Sequence, residues 1–122
     1  MANSEHVKKV KSGEKNLTGL DLENADLRNV NLMMVSFAGS NLWGANFEGA
    51  TLGFCAFMGV TAQTANFRRA NLKGSDFRGS NVSGADFEGA NLDQADFTGA
   101  IVSSANFDSA NLDRVKGLDF DF

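Results

Sequence analysis

An apolar residue recurs at every fifth position from Leu17 to Leu112, with no slip of phase. Neither regular element of secondary structure has that period. A helix returns to the same face about every 3.6 residues and a strand every second residue. The central slots hold Leu, Phe or Val throughout, with Ala62 the one exception. Two residues before each centre stands a second small or apolar residue, such as Ala25, Val30, Val35, Ala45 or Ala110, with Lys15 the exception. The residue between is usually Asn or Asp, as at Asp26, Asn46, Asn66, Asp86 and Asn106. Two inward side chains followed by a gap of three predict a very short extended piece and then a corner. Glycine at 19, 39, 44, 49, 59, 74, 79, 84, 89 and 99 fits that corner, because positive φ is cheapest there.

A second period of twenty residues lies over the first. Phe37, Phe57, Phe77 and Phe97 form one column of centres, and Phe47, Phe67, Phe87 and Phe107 a second. Leu32, Leu52, Leu72, Leu92 and Leu112 form a third. Four units per turn predict an all-β, four-sided solenoid with Phe stacks on two opposed sides and aliphatic stacks on the other two. Five coils would stand roughly 24 Å tall at the usual inter-strand spacing. Type II turns are expected at the all-glycine corner (Gly19 to Gly99), more variable turns elsewhere, and a locally thin core at Ala62. The chain has no proline, which agrees with a ladder that needs every N–H.

The A-(D/N)-(L/F)-x-x pattern over residues 15–114 resembles the pentapeptide-repeat family. The resemblance implies a right-handed quadrilateral β-helix with four pentapeptides per coil. Ala62, Ala56, Ile101 and Lys15 depart from the pattern.

A solenoid leaves two open ends. Residues 1–14 read as an N-terminal helical cap. The helix spans 4–12, with Ser4 as N-cap, Val7 and Val10 on one face, and Gly13 as the stop. Residues 115–122 read as a C-terminal tail or cap. There Leu118, Phe120 and Phe122 alternate with Asp119 and Asp121, so the tail either folds over the last coil or pairs with a second copy. A homodimer through a coil end or the tail is the corresponding partner. No run of 18 apolar residues is present, so no membrane partner is expected, and the start lacks the apolar stretch of a secretory signal. The expected location is cytoplasmic.

Chemistry is sparse. The single histidine, His6, falls in the N-terminal segment, and the single cysteine, Cys55, falls in an inward slot where a buried, inert thiol is expected. The Asn/Asp columns are expected to bond backbone at the corners rather than metal. No phosphate-binding loop, nucleophile elbow or His/Cys ligand cluster occurs. No catalytic residue, metal site or cofactor is expected, and the protein is not read as an enzyme. Outward apolar residues remain as the candidate protein interface: Met33, Met34, Phe54 and Met58 near one corner, and Trp43 on the side opposite the Leu column.

Residues 1–85 carry nine basic and seven acidic side chains, and residues 86–122 two and eight, which together give the net −4. Arg28, Glu48, Arg68, Glu88 and Asp108 occupy one outward slot and suggest a charge ladder between coils. Arg68, Arg69, Lys73 and Arg78 form a small basic cluster, but the overall acidity argues against DNA binding.

Three functions follow. The first is a non-enzymatic interaction module or scaffold that presents flat, rigid faces to another protein, as in short family members abundant in cyanobacteria. The second comes from resemblance to gyrase-protecting relatives: a rod that mimics DNA and binds a type II topoisomerase. The third is a structural spacer that assembles end to end.

Overall fold

The computed structural model describes residues 2–119. Seventeen parallel bridges join residue i to residue i+20 without interruption, from Asn16 with Ser36 to Asp96 with Lys116. The extended pieces are so short that each contributes a single bridge. Every inner coil bonds to the next in the same way. The Phe47 N–H donates to the Asn66 carbonyl (2.7 Å), the Gly49 N–H to that of Arg68 (2.9 Å), and the Asn66 N–H back to that of Ala45 (2.9 Å). The i to i+20 register and four corners per coil make the four-sided solenoid that the twenty-residue period predicts.

The corners differ from expectation in one respect. All twenty carry positive φ at the fifth position, ten at glycine and ten at Asn24, Asn29, Met34, Phe54, Thr64, Arg69, Gln94, Ser104, Ser109 and Arg114. The turn-closing bond is present at glycine and non-glycine corners alike, as from Ala50 N–H to Phe47 C=O (3.0 Å) and from Ala25 N–H to Leu22 C=O (3.0 Å). The Met34 corner is the exception, a bend with no bond from the Val35 N–H to the Leu32 C=O; elsewhere the coil-to-coil register on both flanking sides imposes positive φ whatever the residue. Two corner columns solve the crowding by alternation. Asn24 lies over Gly44, where an added Cβ would meet Asn24 Oδ1, and Asn29 lies over Gly49 in the same way.

The Asn/Asp residues hold the corners from outside. Asn46 Oδ1 accepts from the Glu48 N–H (3.0 Å), Asn66 Oδ1 from Arg68 (2.9 Å) and Asp86 Oδ1 from Glu88 (3.0 Å). Each is an Asx turn. Inside, Phe rings stack along the rod, as with Phe57 on Phe77 at 4.7 Å, and meet edge to face across it, as with Phe67 and Phe77 at 5.8 Å. Both are favourable aromatic geometries. Phe37 to Phe97 and Leu52 to Leu92 are sealed, whereas Phe107 and Leu112 in the last coil are half-buried.

Helix α1 spans Ser4–Lys11. Asn3, not Ser4, is its N-cap: Asn3 Oδ1 accepts from the N–H groups of Glu5 (2.9 Å) and His6 (3.3 Å). The chain before α1 replaces a missing coil on one side. The Asn3 N–H donates to the Asp21 carbonyl (3.1 Å), and the Asp21 N–H donates to His6 Nδ1 (2.8 Å). Val10 is sealed in the core. Lys15, the misfit of the inward column, turns out and donates from Nζ to the Met33 carbonyl (3.2 Å). His6→Ala is expected to lower stability by about 1 kcal/mol and to speed amide exchange at Asp21, measured by denaturation and hydrogen exchange.

At the other end the ladder runs past residue 114. The Phe97 N–H bonds the Lys116 carbonyl (2.8 Å), and the Lys116 N–H bonds that of Ala95 (2.9 Å). Gly117 (φ 79°) then passes so close to the strand below that a Cβ would lie 2.3 Å from the Thr98 nitrogen. Leu118 is half-buried against the core. Phe120, Asp121 and Phe122 lie outside the described residues.

Candidate protein-interaction surface

The outward slots do not all share one fate. Met34 and Phe54 occupy the same corner in successive coils, with φ of 60° and 56°. They are 70% and 50% exposed, and Met33 beside them is 45% exposed. A large side chain in the left-handed region costs roughly 1–2 kcal/mol, so this corner holds two unfavourable backbones under exposed apolar groups. The Phe54 ring lies across Gly74 of the next coil, and the Met33 methyl lies over Gly53. Glycine in the coil above therefore leaves room for each side chain to lie flat along the rod.

Met58 does not join this corner. It is half-buried, and its Sδ accepts from the Arg78 guanidinium (3.4 Å). Trp43, 42% exposed, lies on the opposed side of the coil. Its N–H donates to Asn41 Oδ1 (3.1 Å). The candidate set thus divides into the Met33, Met34 and Phe54 corner, a separate Trp43, and a covered Met58. Ile101, 52% exposed, is an apolar outward residue that the sequence reading left out of the interface. Its signal was present, since Ile101 stands in the outward slot that holds Asp21, Asn41, Thr61 and Asn81 in the other coils.

Charges on the rod are largely paired. Arg68 bonds Asp86 (3.1 Å) and Glu88 (2.6 Å), so one rung of the expected ladder forms. Arg28 turns instead to Asp26 in its own coil (2.8 Å), and Glu48 takes Arg69 rather than Arg68. Arg78 is held by Asp76 (2.7 Å) and Arg114 by Asp93 (2.7 Å). The basic cluster is therefore mostly neutralised by carboxylates.

These bonds hold several carboxyls below their usual range. The Arg28 guanidinium brings Asp26 to about 2 from an ordinary 3.8. Asp76 is lowered by Arg78, Asp93 by Arg114, and Asp96 by the Thr98 hydroxyl. A depressed folded pKa contributes stability above the unfolded value, and that stability is lost as pH falls through the folded one. Thermal midpoints are expected to be flat above about pH 5 and to fall progressively in acid, with high salt shrinking the difference.

The one thiol is unreactive by placement. Cys55 is buried, donates to the Leu32 carbonyl (3.0 Å), and is pushed up to about 11 by burial. Among the described residues no group of three His, Cys, Asp or Glu side chains could hold a metal ion. No helix among them is long and apolar enough to cross a membrane.

Four-unit coils, a Phe/Leu core and Asx-held corners define a solenoid built from five-residue repeats. The chain belongs to the pentapeptide-repeat family, whose profile (Pentapeptide repeats, 8 copies) matches residues 16–53, 55–94, 65–103 and 83–116. Structural neighbours are pentapeptide-repeat proteins, which form right-handed quadrilateral β-helices.

One such structure is a pentapeptide repeat protein from the Arabidopsis thaliana thylakoid lumen. It is 29% identical with a TM-score of 0.73, over 82% of this chain and 67% of that one. Another is Rfr23 from the cyanobacterium Cyanothece 51142, 21% identical with a TM-score of 0.63 over 93% of both chains. A third is trypsin-treated QnrB1, a plasmid-mediated fluoroquinolone resistance protein. It is 25% identical with a TM-score of 0.55, over 88% of this chain and 71% of that one. Comparison with curated protein sequences gives no match.

Proposed function

We propose that this protein is a non-enzymatic interaction module that binds a protein partner through the Met33, Met34 and Phe54 corner. The observation that carries this reading is the coincidence of exposure and strain. Met34 and Phe54 hold left-handed backbone that glycine would adopt freely, yet their side chains stand 70% and 50% exposed. The ladder accounts for the backbone at every corner, but exposed apolar side chains at two successive corners of one column are what contact with a partner would account for. Methionine and phenylalanine together give an adaptable apolar surface, and the coil-to-coil ladder keeps it rigid. Met34→Ser with Phe54→Ser is expected to leave the fold intact and to weaken partner capture from the source extract about tenfold or more. Capture equal to wild type would remove the corner from consideration.

Likeness to QnrB1 favours a second reading, a rod that occupies the DNA-binding surface of a type II topoisomerase. Against it, Asp76, Asp86, Glu88 and Asp93 are each tied to an arginine, which weakens the negative potential a basic groove would attract. Inhibition or protection in a gyrase supercoiling assay would support this reading over the first. In-register end-to-end stacking, the third reading, is opposed by the N-terminal segment. Asn3 occupies the edge at Asp21, where a coil of a second rod would have to pair.

A further inference from the structure

The open sulfur chemistry of the described residues lies at one corner. Oxidisable sulfur stands in Cys55 and in the methionines, of which Met1 lies outside the described residues. Cys55 is sealed in the core, its thiol donated to the Leu32 carbonyl (3.0 Å), so it offers no thiolate to an oxidant. Met58 is half-buried, and its Sδ accepts from the Arg78 guanidinium (3.4 Å), which engages electron density that an electrophile needs. Met34 is 70% exposed and Met33 45%. The Met33 methyl lies over Gly53, which leaves Met33 less open than Met34.

A hydroperoxide oxidises an exposed thioether directly. The sulfur lone pair attacks one peroxide oxygen, so an S–O bond forms as the O–O bond breaks. The other oxygen leaves and takes up a proton, as water when the oxidant is hydrogen peroxide. Sulfur loses two electrons and the peroxide gains them. The product, a sulfoxide, is polar where the thioether was apolar.

In the core such a change disrupts packing, but this corner is held by backbone. The Met34 N–H donates to the Gly53 carbonyl (3.0 Å) and the Phe54 N–H to that of Lys73 (2.8 Å). Neither bond involves the thioether. Oxidation therefore leaves the coil in place and alters only the surface it presents, which loses the apolar character that suits a partner.

We propose that Met34, and after it Met33, is a reversible oxidation site for hydroperoxides that switches off binding at the Met33, Met34 and Phe54 corner. The proposal rests on the binding role given to that corner above. A bound partner covers both sulfurs, so the free protein is the form that oxidises. Reversal falls to thiol-dependent methionine sulfoxide reductases, which release the oxygen as water while two thiols become a disulfide.

The test exposes the folded full chain to hydrogen peroxide and maps the sulfoxides by peptide mass spectrometry. Met34 is expected to oxidise first and Met33 next, with Met58 about tenfold or more slower than Met34, and the denaturation midpoint unchanged. The oxidised wild type is expected to capture its partner from the source extract about tenfold or more weakly, and treatment with methionine sulfoxide reductases to restore capture. Met33→Leu with Met34→Leu keeps the corner apolar without the sulfurs, and is expected to capture equally before and after peroxide. Met58 oxidised as fast as Met34, a midpoint that falls in step with Met34 oxidation, or an equal loss of capture in the peroxide-treated leucine variant would each overturn the proposal. Undiminished capture by the oxidised wild type, where Met34→Ser with Phe54→Ser lowers it, overturns this proposal alone. Capture unaffected by the serine pair removes the binding role of the corner and this proposal with it.

Discussion

Phe67→Ala is expected to lower stability by about 3–5 kcal/mol, a large share of the roughly 5–15 kcal/mol typical of a domain. Phe67 is fully buried, stacked on Phe47 at 5.2 Å and Phe87 at 5.1 Å, and meets the edges of Phe57 and Phe77 at 5.8 Å. Removing one ring breaks two stacks and two edge contacts. The neighbours cannot collapse into the space, because each is held in register by its own coil-to-coil bonds. A solenoid is stabilised by nearest-neighbour terms, so a mid-rod cavity also uncouples the two halves. Denaturant unfolding followed by fluorescence at Trp43, in the second coil, and by far-ultraviolet dichroism is expected to show both a lower midpoint and separated transitions. Phe107→Ala, in the half-buried last coil, is expected to show a smaller loss and a single transition.

Gly74→Val is expected to be the most damaging change at a corner, at about 3 kcal/mol. Two effects add. Gly74 has φ of 67°, which a β-branched residue adopts only under strain. An added Cβ would also lie 2.4 Å from two carbons of the Phe54 ring. The two effects separate in a double-mutant cycle with the gentler Gly74→Ala. In a Phe54→Ala background the steric part vanishes and only the backbone part remains, so the loss from Gly74→Ala is expected to fall to about 1–2 kcal/mol. Equal losses in both backgrounds, by denaturant midpoint, would show that the ring does not rest on Gly74 in solution. The same pair bears on function, since Gly74 gives the Phe54 ring the room to lie along the rod.

Much of this architecture could be read from the chain because its contacts are periodic. Phe57 meets Phe77 because both fall at the same point of a twenty-residue turn, and no knowledge of distant sequence is needed. The Asx turns at Asn46 and Asn66 were readable for the same reason, with donor and acceptor two residues apart. The ends were less readable. A Ser-Glu pair and an Asn before it compete as helix caps, and the decision went to Asn3, whose own N–H is drawn onto the Asp21 edge. The candidate surface was read only in part. Met58 looked outward by its slot, but the long Arg78 side chain one coil away lies within reach of its sulfur. Ile101 gave a signal that was noted as a departure and not as a surface.

The sequence by itself determined the period, the four sides, the core columns and the corner positions, because each follows from a residue's place within a repeat of five or twenty. Only the tertiary structure decided that corners of different residue type share positive φ. The ladder on both sides imposes positive φ on Met34 and Phe54 as firmly as on Gly74. It alone decided which charges pair, since Arg28 turns to its own coil while Arg68 reaches to the next. Long flexible side chains choose among several partners at similar distance, and that choice depends on three-dimensional neighbours that the repeat does not specify. For the same reason the exposed apolar surface came down to Met33, Met34 and Phe54 at one corner, with Trp43 and Ile101 apart from it.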